Sequence, residues 1–260
     1  MKNWKVAMVL LGAALVLVGC GAVSVKTTHL SERKDSVLKI VQLSDIHCDS
    51  TDWKFEDVVA KVNAIKPDLL VFTGDYVSNK REYHAFVQRL RGLHVACPKF
   101  AILGNWEYWS HLNLDTLKQD FAESGIELLV NESRQIRIQN RTVNLFGLDD
   151  YLGGKPNLGI IQPTDSSLNI VLLHCPVLFN AVVSSEQIEK NQELLVLSGH
   201  THGGQVTFFG IPFKTPPGSG KYTAGLYKSG RHSLYVSRGI GNSVVNFRLF
   251  SPSTIDLIEI

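Results

Sequence analysis

Residues 194–204 read Leu194-Leu195-Val196-Leu197-Ser198-Gly199-His200-Thr201-His202-Gly203-Gly204. An unbroken apolar run of four residues is the pattern of a short strand buried on both faces, as in a parallel sheet covered by other layers. The glycines that follow let the chain turn sharply. His200 and His202 are therefore predicted at the C-terminal end of a strand, where open α/β sheets collect their ligands. Alone, a His-x-His pair says little, because imidazole also hydrogen-bonds in ordinary loops. Its meaning depends on what the other strand ends deliver.

Outward from this stretch the same layout recurs. Residues 37–44 form an apolar strand that ends at Asp45-Ile46-His47. Phe55, Val58, Val59, Val62 and Ile65 repeat at helical spacing, and Pro67 ends that helix. A strand over 69–73 delivers Gly74-Asp75, and after a second helix over 83–93 the run 100–103 leads into Gly104-Asn105-Trp106-Glu107-Tyr108-Trp109. A helix over 114–124 closes at Gly125. The pattern then changes to short alternating strands, 134–138 and 142–146, joined by a hairpin turn at Asn140-Arg141. Residues 149–167, rich in Gly, Pro and Asp, read as a surface loop bordering the site. Another buried strand, 169–173, ends at His174-Cys175-Pro176, and 205–260 carries several short strands, among them 233–237 and 254–260.

Five strand ends thus offer Asp45 with His47, Asp75, Asn105, His174, and His200 with His202. Imidazole, carboxylate and amide donors without a thiolate suit Mn, Fe or Zn ions, whereas Cu(I) favours sulfur. One carboxylate, Asp75, is a candidate bridge between two ions about 3.5–4 Å apart, the spacing that stabilises both the attacking and leaving oxygens of a phosphoryl centre.

These blocks, Asp-x-His, Gly-Asp, Gly-Asn-x-Glu, His and Gly-His-x-His in that order across 37–260, resemble the calcineurin-like metallophosphoesterase superfamily. The resemblance implies an α/β sandwich of two mixed β-sheets flanked by helices, and two divalent metal ions as cofactors. It implies that Asp45, His47 and His202 hold the first ion, Asn105, His174 and His200 the second, and Asp75 both. The nucleophile is then water activated by metal rather than a side chain. The segments around Lys221-Tyr222-Thr223-Ala224-Gly225 and Tyr235-Val236-Ser237-Arg238-Gly239 are similar to a membrane-associated bacterial branch that contains phosphodiesterases and UDP-2,3-diacylglucosamine hydrolases. The implied partner is a phosphorylated small molecule or a lipid-linked or nucleotide-sugar substrate, with Arg238 a candidate phosphate contact. An ordinary loop-stabilising arginine fits that position equally.

One departure stands out: Trp106 occupies the place of the family's phosphate-facing histidine. Indole cannot deliver a proton as imidazole does, so leaving groups that are already weak bases are favoured, unless His111 supplies the acid. Trp106, Tyr108 and Trp109 read either as a lip that receives lipid or as core packing. The rival functional reading is a metal-binding surface protein in which Trp106 marks lost catalysis.

At 260 residues the chain has room for one sizeable core. Lys2 and Lys5 account for its formal charge of +2, since without them 24 basic residues stand against 24 acidic ones. Bulk charge therefore gives no reason to invoke nucleic acid. The oligomeric state has no sequence signal. Residues 1–25, basic at Lys2 and Lys5 and uncharged from Val6 to Val25, read as a targeting or anchoring segment. Leu17-Val18-Gly19-Cys20 resembles a bacterial lipobox, which favours a lipoprotein held at the membrane outside the cytoplasm; a single uncleaved helix in the inner membrane is the alternative. Residues 26–36 are expected to form a polar tether and 37–260 the catalytic domain. Cys48, Cys97 and Cys175 show no disulfide or zinc spacing and read as inert thiols.

Overall fold

The computed structural model describes residues 23–30, 37–49, 54–243 and 245–260. Two six-stranded sheets pack face to face. The first runs in the order β1 (Ser24–His29), β14 (Thr254–Glu259), β2 (Lys39–Leu43), β3 (Leu69–Phe72), β4 (Lys99–Ala101) and β5 (Glu127–Leu128). The second runs β12 (Gly225–Ser229), β13 (His232–Val236), β9 (Leu195–Ser198), β8 (Leu168–Leu172), β7 (Arg141–Gly147) and β6 (Glu132–Ile138). Both are mixed: β2 to β5 are parallel with β14 antiparallel beside β2, and β7, β8, β9 and β13 are parallel between antiparallel edges β6 and β12.

The period of two along each strand divides its residues between two cores. Ile40, Leu69, Val71, Ile170, Leu172, Leu195 and Leu197 meet between the sheets. Their neighbours Val41, Leu43, Leu70 and Phe72 face the opposite way, against α1 (Lys54–Ile65), α2 (Tyr83–Leu90) and α4 (Leu114–Glu123). On the far side Val171, Leu173 and Val196 pack with Phe179 and Val182 of α5 (Phe179–Val183). Burial on both faces explains why these strands read as unbroken apolar runs. Local signals place the helices: Phe55, Val58, Val59 and Val62 form the buried stripe of α1, and the Asn113 side chain caps α4 by accepting from the Thr116 N–H.

The sandwich expected for the chain is the architecture found, with differences at its margins. Ser24–His29 is an edge strand hydrogen-bonded in parallel to β14, so the anchor expected over 1–25 is corrected at Ser24 and Val25, and the tether expected over 26–36 at Lys26–His29. A polar edge strand paired on one side carries no apolar run, which hid it. Residues 1–22 and 31–36 lie outside the described residues, and with them most of the expected anchor and the rest of the tether. The β6–β7 turn falls on Gln139 and Asn140, one residue earlier than expected, because Ile138 pairs with Arg141 and Gln139 takes the positive φ. Residues 105–109 form a short helix, α3 (Asn105–Trp109). A small hairpin, β10 (Thr207–Phe208) with β11 (Ile211–Pro212), leaves the site loop. Among the described residues no helix is long and apolar enough to cross a membrane.

Candidate metal centre

Because β2, β3 and β4 of one sheet and β8 and β9 of the other each end in a site loop, the sandwich gathers all five loops at one end. Two clusters of ligand atoms result. Asp45, His47 and His202 form one and Asp75, His174 and His200 the other, each with its donor atoms within 4.8 Å of one another, and all six residues are buried. Asp75 joins the clusters: its Oδ2 lies 3.1 Å from His174 Nε2 and 3.7 Å from His47 Nε2. His47 and His202 bring their Nε2 atoms to 3.1 Å, and His200 Nδ1 lies 3.3 Å from His174 Nε2.

The outer partners determine which ring nitrogen carries a proton. His174 Nδ1 lies 2.7 Å from the Thr73 carbonyl and His200 Nε2 lies 2.6 Å from that of Pro217. A carbonyl only accepts, so both of these nitrogens donate, and the lone pairs of neutral His174 and His200 face each other and the Asp75 carboxylate. Three electron-rich atoms converging in a buried space require a cation among them. Without a metal ion the proton fills that role: burial opposes a charge on His174, but adjacent Asp75 outweighs it and pushes His174 well above the ordinary imidazole range. Burial acts against Asp75 as well, yet His174 holds it down at about 2. Burial, reinforced by Asp75, lifts Asp45 to about 6 against the pull of His174. His47 and His200 fall to about 4, chiefly through burial, and so are neutral near pH 7, the form in which imidazole binds metal. His202 is the exception in its hydrogen bonding. Arg248 lies 3.0 Å from its Nδ1 and can only donate, so in neutral His202 the proton sits on Nε2 facing His47 and has to shift to Nδ1, away from the Arg248 donor, before Nε2 serves as a ligand.

Asn105 precedes Trp106, whose N–H donates to Asp75 Oδ1 at 2.9 Å. Asn105 is 1% exposed, and its Oδ1 has no hydrogen-bond partner among the described residues. An unpaired buried amide oxygen is costly, and a divalent ion is the kind of partner that removes the cost. The donor set therefore fits two metal ions.

Backbone conformation in these loops is unusual. Asp45, His47, Asp75, His200 and His202 all have positive φ, between 41° and 73°. Such a conformation costs a residue with a Cβ about 1–2 kcal/mol, so the surroundings have to hold it. They do so through Asp45 N–H to Gly74 O (3.0 Å), His47 N–H to Asp75 O (3.0 Å) and His200 N–H to the Asp45 carboxylate (2.9 Å). Gly74 admits the close approach of the next loop, for a Cβ there would lie 2.6 Å from Gly104 N.

Two positioning residues were not singled out by the sequence. Glu107, fully buried, accepts from the backbone N–H groups of Gly104 (2.8 Å), Asp75 (3.0 Å) and Tyr76 (2.8 Å), tying the Asp75 loop to the Asn105 loop. Its Gly-x-x-Glu spacing is a capping signature that would have pointed to it. Arg248, half-buried, donates to the carbonyls of Gly241, Arg238, His202 and Ser251 and fixes His202 from behind; nothing local in the sequence marks it. Among the described residues no hydrogen bond or ion pair joins the Arg238 side chain to the seven; its stem lies along Gly203, and its charge is felt by Lys26 and Arg248.

The Trp106 ring stands edge-on to His47, with centroids 5.6 Å apart, and meets Trp109 at 5.7 Å. Tyr108 does not belong to that lip, because its hydroxyl donates to Asp149 at 2.5 Å and it packs against the core. His111 is exposed, and no hydrogen bond or ring contact among the described residues joins it to the seven. Cys48, Cys97 and Cys175 are free thiols. Cys48 accepts from Arg89, and Cys175 donates to Asp150.

A family model described as calcineurin-like phosphoesterase matches residues 38–204. A Bacillus subtilis protein described as the uncharacterized metallophosphoesterase YkuE is 32% identical over 233 residues, covering 85% of this chain and 78% of its own. The Escherichia coli phosphodiesterase YaeI is 32% identical over 237 residues, covering 85% and 82%. Among solved structures, Haemophilus influenzae NAD nucleotidase superposes with a TM-score of 0.51 at 14% identity, over 78% of this chain and 45% of that one, a likeness of fold alone.

Proposed function

The chain belongs to the calcineurin-like phosphoesterase family and is a metal-dependent phosphoester hydrolase; from that premise we propose that it cleaves phosphodiesters or phosphoanhydrides, using two divalent ions of Mn, Fe or Zn. In this reading Asp45, His47 and His202 hold one ion, Asn105, His174 and His200 the other, and Asp75 both. The observation that carries it is the convergence of Asp75 Oδ2, His174 Nε2 and His200 Nδ1, with the Oδ1 of Asn105 buried and unpaired next to the Trp106 N–H that donates to Asp75. When bound, the two ions supply Lewis acidity that activates water and neutralises phosphoryl oxygens. Thr73 and Pro217 orient the imidazoles through their carbonyls, Glu107 fixes the loop bearing Asp75, and Trp106 walls the His47 side without donating a proton. Elemental analysis of the purified chain, with anomalous scattering from crystals soaked in Mn²⁺, is expected to give two ions per chain. A pocket still vacant after soaking overturns the proposal.

The leaving group follows from Trp106. With no imidazole acid at that position, p-nitrophenolate or a phosphate departs readily and a simple alkoxide does not. Trp106→His is expected to raise turnover of an alkyl phosphate ester by about 10²-fold, the lower end of what general acid catalysis contributes, while bis-p-nitrophenyl phosphate changes by only about threefold. Steady-state rates on both substrates check it. If the wild type is inert on every ester and anhydride tested while the variant works, the chain is the metal-binding surface protein with lost catalysis. For residues 1–22 the proposal is a lipoprotein signal or membrane anchor, supported by the charge pattern and by the sequence ending at Cys20.

A further inference from the structure

Beside the candidate centre lies an apolar surface that catalysis does not explain. Of the eleven large apolar side chains exposed among the described residues, seven lie in the β10–β11 hairpin, its flanking Phe213 and the turn over 245–250. Phe208, Phe209, Ile211 and Phe213 are 58%, 78%, 72% and 73% exposed. Phe209 sits at the hairpin tip with Gly210, stacks on Phe250 at 5.8 Å and meets Phe208 edge-on at 4.7 Å, so hairpin and turn form one surface. A contiguous patch of this kind marks a contact with an apolar partner. A groove of about 390 Å³, lined by His202, Gln205, Phe213, Lys214, Pro217 and Val245 among others, connects the base of the hairpin to the metal centre.

Two observations identify the partner. First, Lys214 is exposed at the base of the hairpin, and residues 194–255 contain no Asp or Glu. An apolar tip with a cation at its base and no carboxylate in its own segment matches an anionic bilayer surface. Second, the chain enters the fold at the same place. The Ser24 N–H donates to Ser253 O at 3.1 Å, three residues after Phe250, and because β14 runs antiparallel to β2 this is the sheet end from which Asp45 emerges. The uncharged run from Val6 to Val23 leads into that point.

We infer that the β10–β11 hairpin, with Phe213 and the 245–250 turn, is a docking surface for an anionic phospholipid bilayer, seating the groove and the metal centre at the plane of the lipid headgroups. The inference rests on the hydrolase reading only for what the orientation achieves, which is access to phosphoesters carried by lipids.

The test uses the full chain reconstituted in vesicles of phosphatidylglycerol and phosphatidylethanolamine, with p-benzoylphenylalanine introduced at position 209 or, as a control, at exposed position 140 in the turn at the opposite sheet end. On irradiation, position 209 is expected to yield a phospholipid adduct by mass spectrometry, at least tenfold more than position 140. A cross-link from 209 to residues 1–22 of the same chain, a cross-link to a second copy, or no lipid adduct overturns the inference. A companion variant, Phe209→Asp, is expected to lose at least tenfold in turnover of a phosphodiester lipid embedded in vesicles and to keep wild-type turnover of bis-p-nitrophenyl phosphate. Equal turnover of the lipid by both proteins counts against the docking role. Because the adduct forms without turnover, failure of the hydrolase reading leaves it in place, whereas an active hydrolase with no adduct at 209 sinks this inference alone.

Discussion

Asp75→Asn is expected to lower turnover of bis-p-nitrophenyl phosphate with Mn²⁺ by at least about 10³-fold, some 4 kcal/mol of transition-state stabilisation. The size follows from position. Asp75 Oδ2 is the side-chain atom that reaches a histidine of each cluster, His174 at 3.1 Å and His47 at 3.7 Å, while Oδ1 accepts from the Trp106 N–H at 2.9 Å. Asparagine fills the same space but removes the negative charge, and one orientation of its amide turns an N–H₂ toward the ligand atoms. Two divalent ions then lose the carboxylate proposed to bind both, and metal content is expected to fall with activity. The fold should survive. Asp75 and His174 form a buried ion pair in the metal-free protein, and removing the carboxylate lets His174 become neutral, so the pair disappears without leaving a stranded charge. Near-wild-type circular dichroism with activity lost is the expected pair of results. An Asp75→Asn protein that keeps a tenth or more of wild-type turnover refutes the bridging role. His111→Ala serves as control and is expected to change turnover less than about twofold, as for a surface substitution away from special features.

That the six side chains of the two clusters share one place was legible in the sequence because each follows a strand buried on both faces, and a parallel strand covered by layers delivers its C-terminal residues to the same end as its neighbours. His174 and His200 lie 26 positions apart, and strand logic alone aligns them. Less of the holding structure was legible. Arg248 reaches His202 across 46 positions from a segment without periodicity, and the carbonyls of Thr73 and Pro217 that set the ring protons are backbone groups available at any residue. The edge strand β1 was hidden for a related reason: Ser24-Val25-Lys26-Thr27-Thr28-His29 is stabilised by its ladder to β14 more than by buried side chains, and ladder pairing leaves no mark in composition. The lip expected from Trp106, Tyr108 and Trp109 separated along the helix. Trp106 and Trp109 lie three apart on one face, while Tyr108 turns toward Asp149.

The second large effect concerns stability as well as activity. Glu107→Ala is expected to destabilise the fold by about 3–5 kcal/mol, because it strands three buried backbone N–H groups at about 1–3 kcal/mol each, with partial relaxation. For a domain of this size that lowers the melting temperature by roughly 10 °C, at about 2–4 °C per kcal/mol. Burial and nearby Asp75 push the Glu107 carboxyl up to about 7, and the backbone donors of Tyr76, Gly104 and Asp75 oppose them. Glu107→Gln separates the donors from the charge. Oε2 serves Gly104 and Asp75 while Oε1 serves Tyr76, so a glutamine carbonyl at the Oε2 position keeps two bonds and sets its N–H₂ against a single donor. Its loss is therefore expected to be less than half that of alanine, measured by denaturant titration with unchanged slope. Activity distinguishes positioning from mere support. If Glu107 holds the Asp75 and Asn105 loops in register, Glu107→Gln lowers kcat and metal affinity well below 25 °C, where the variant is fully folded. A Gln variant with wild-type metal affinity and kcat would leave Glu107 a stabilising residue only, and the register of the two loops would then rest on the Asp75 carboxylate and the Trp106 N–H that it accepts from.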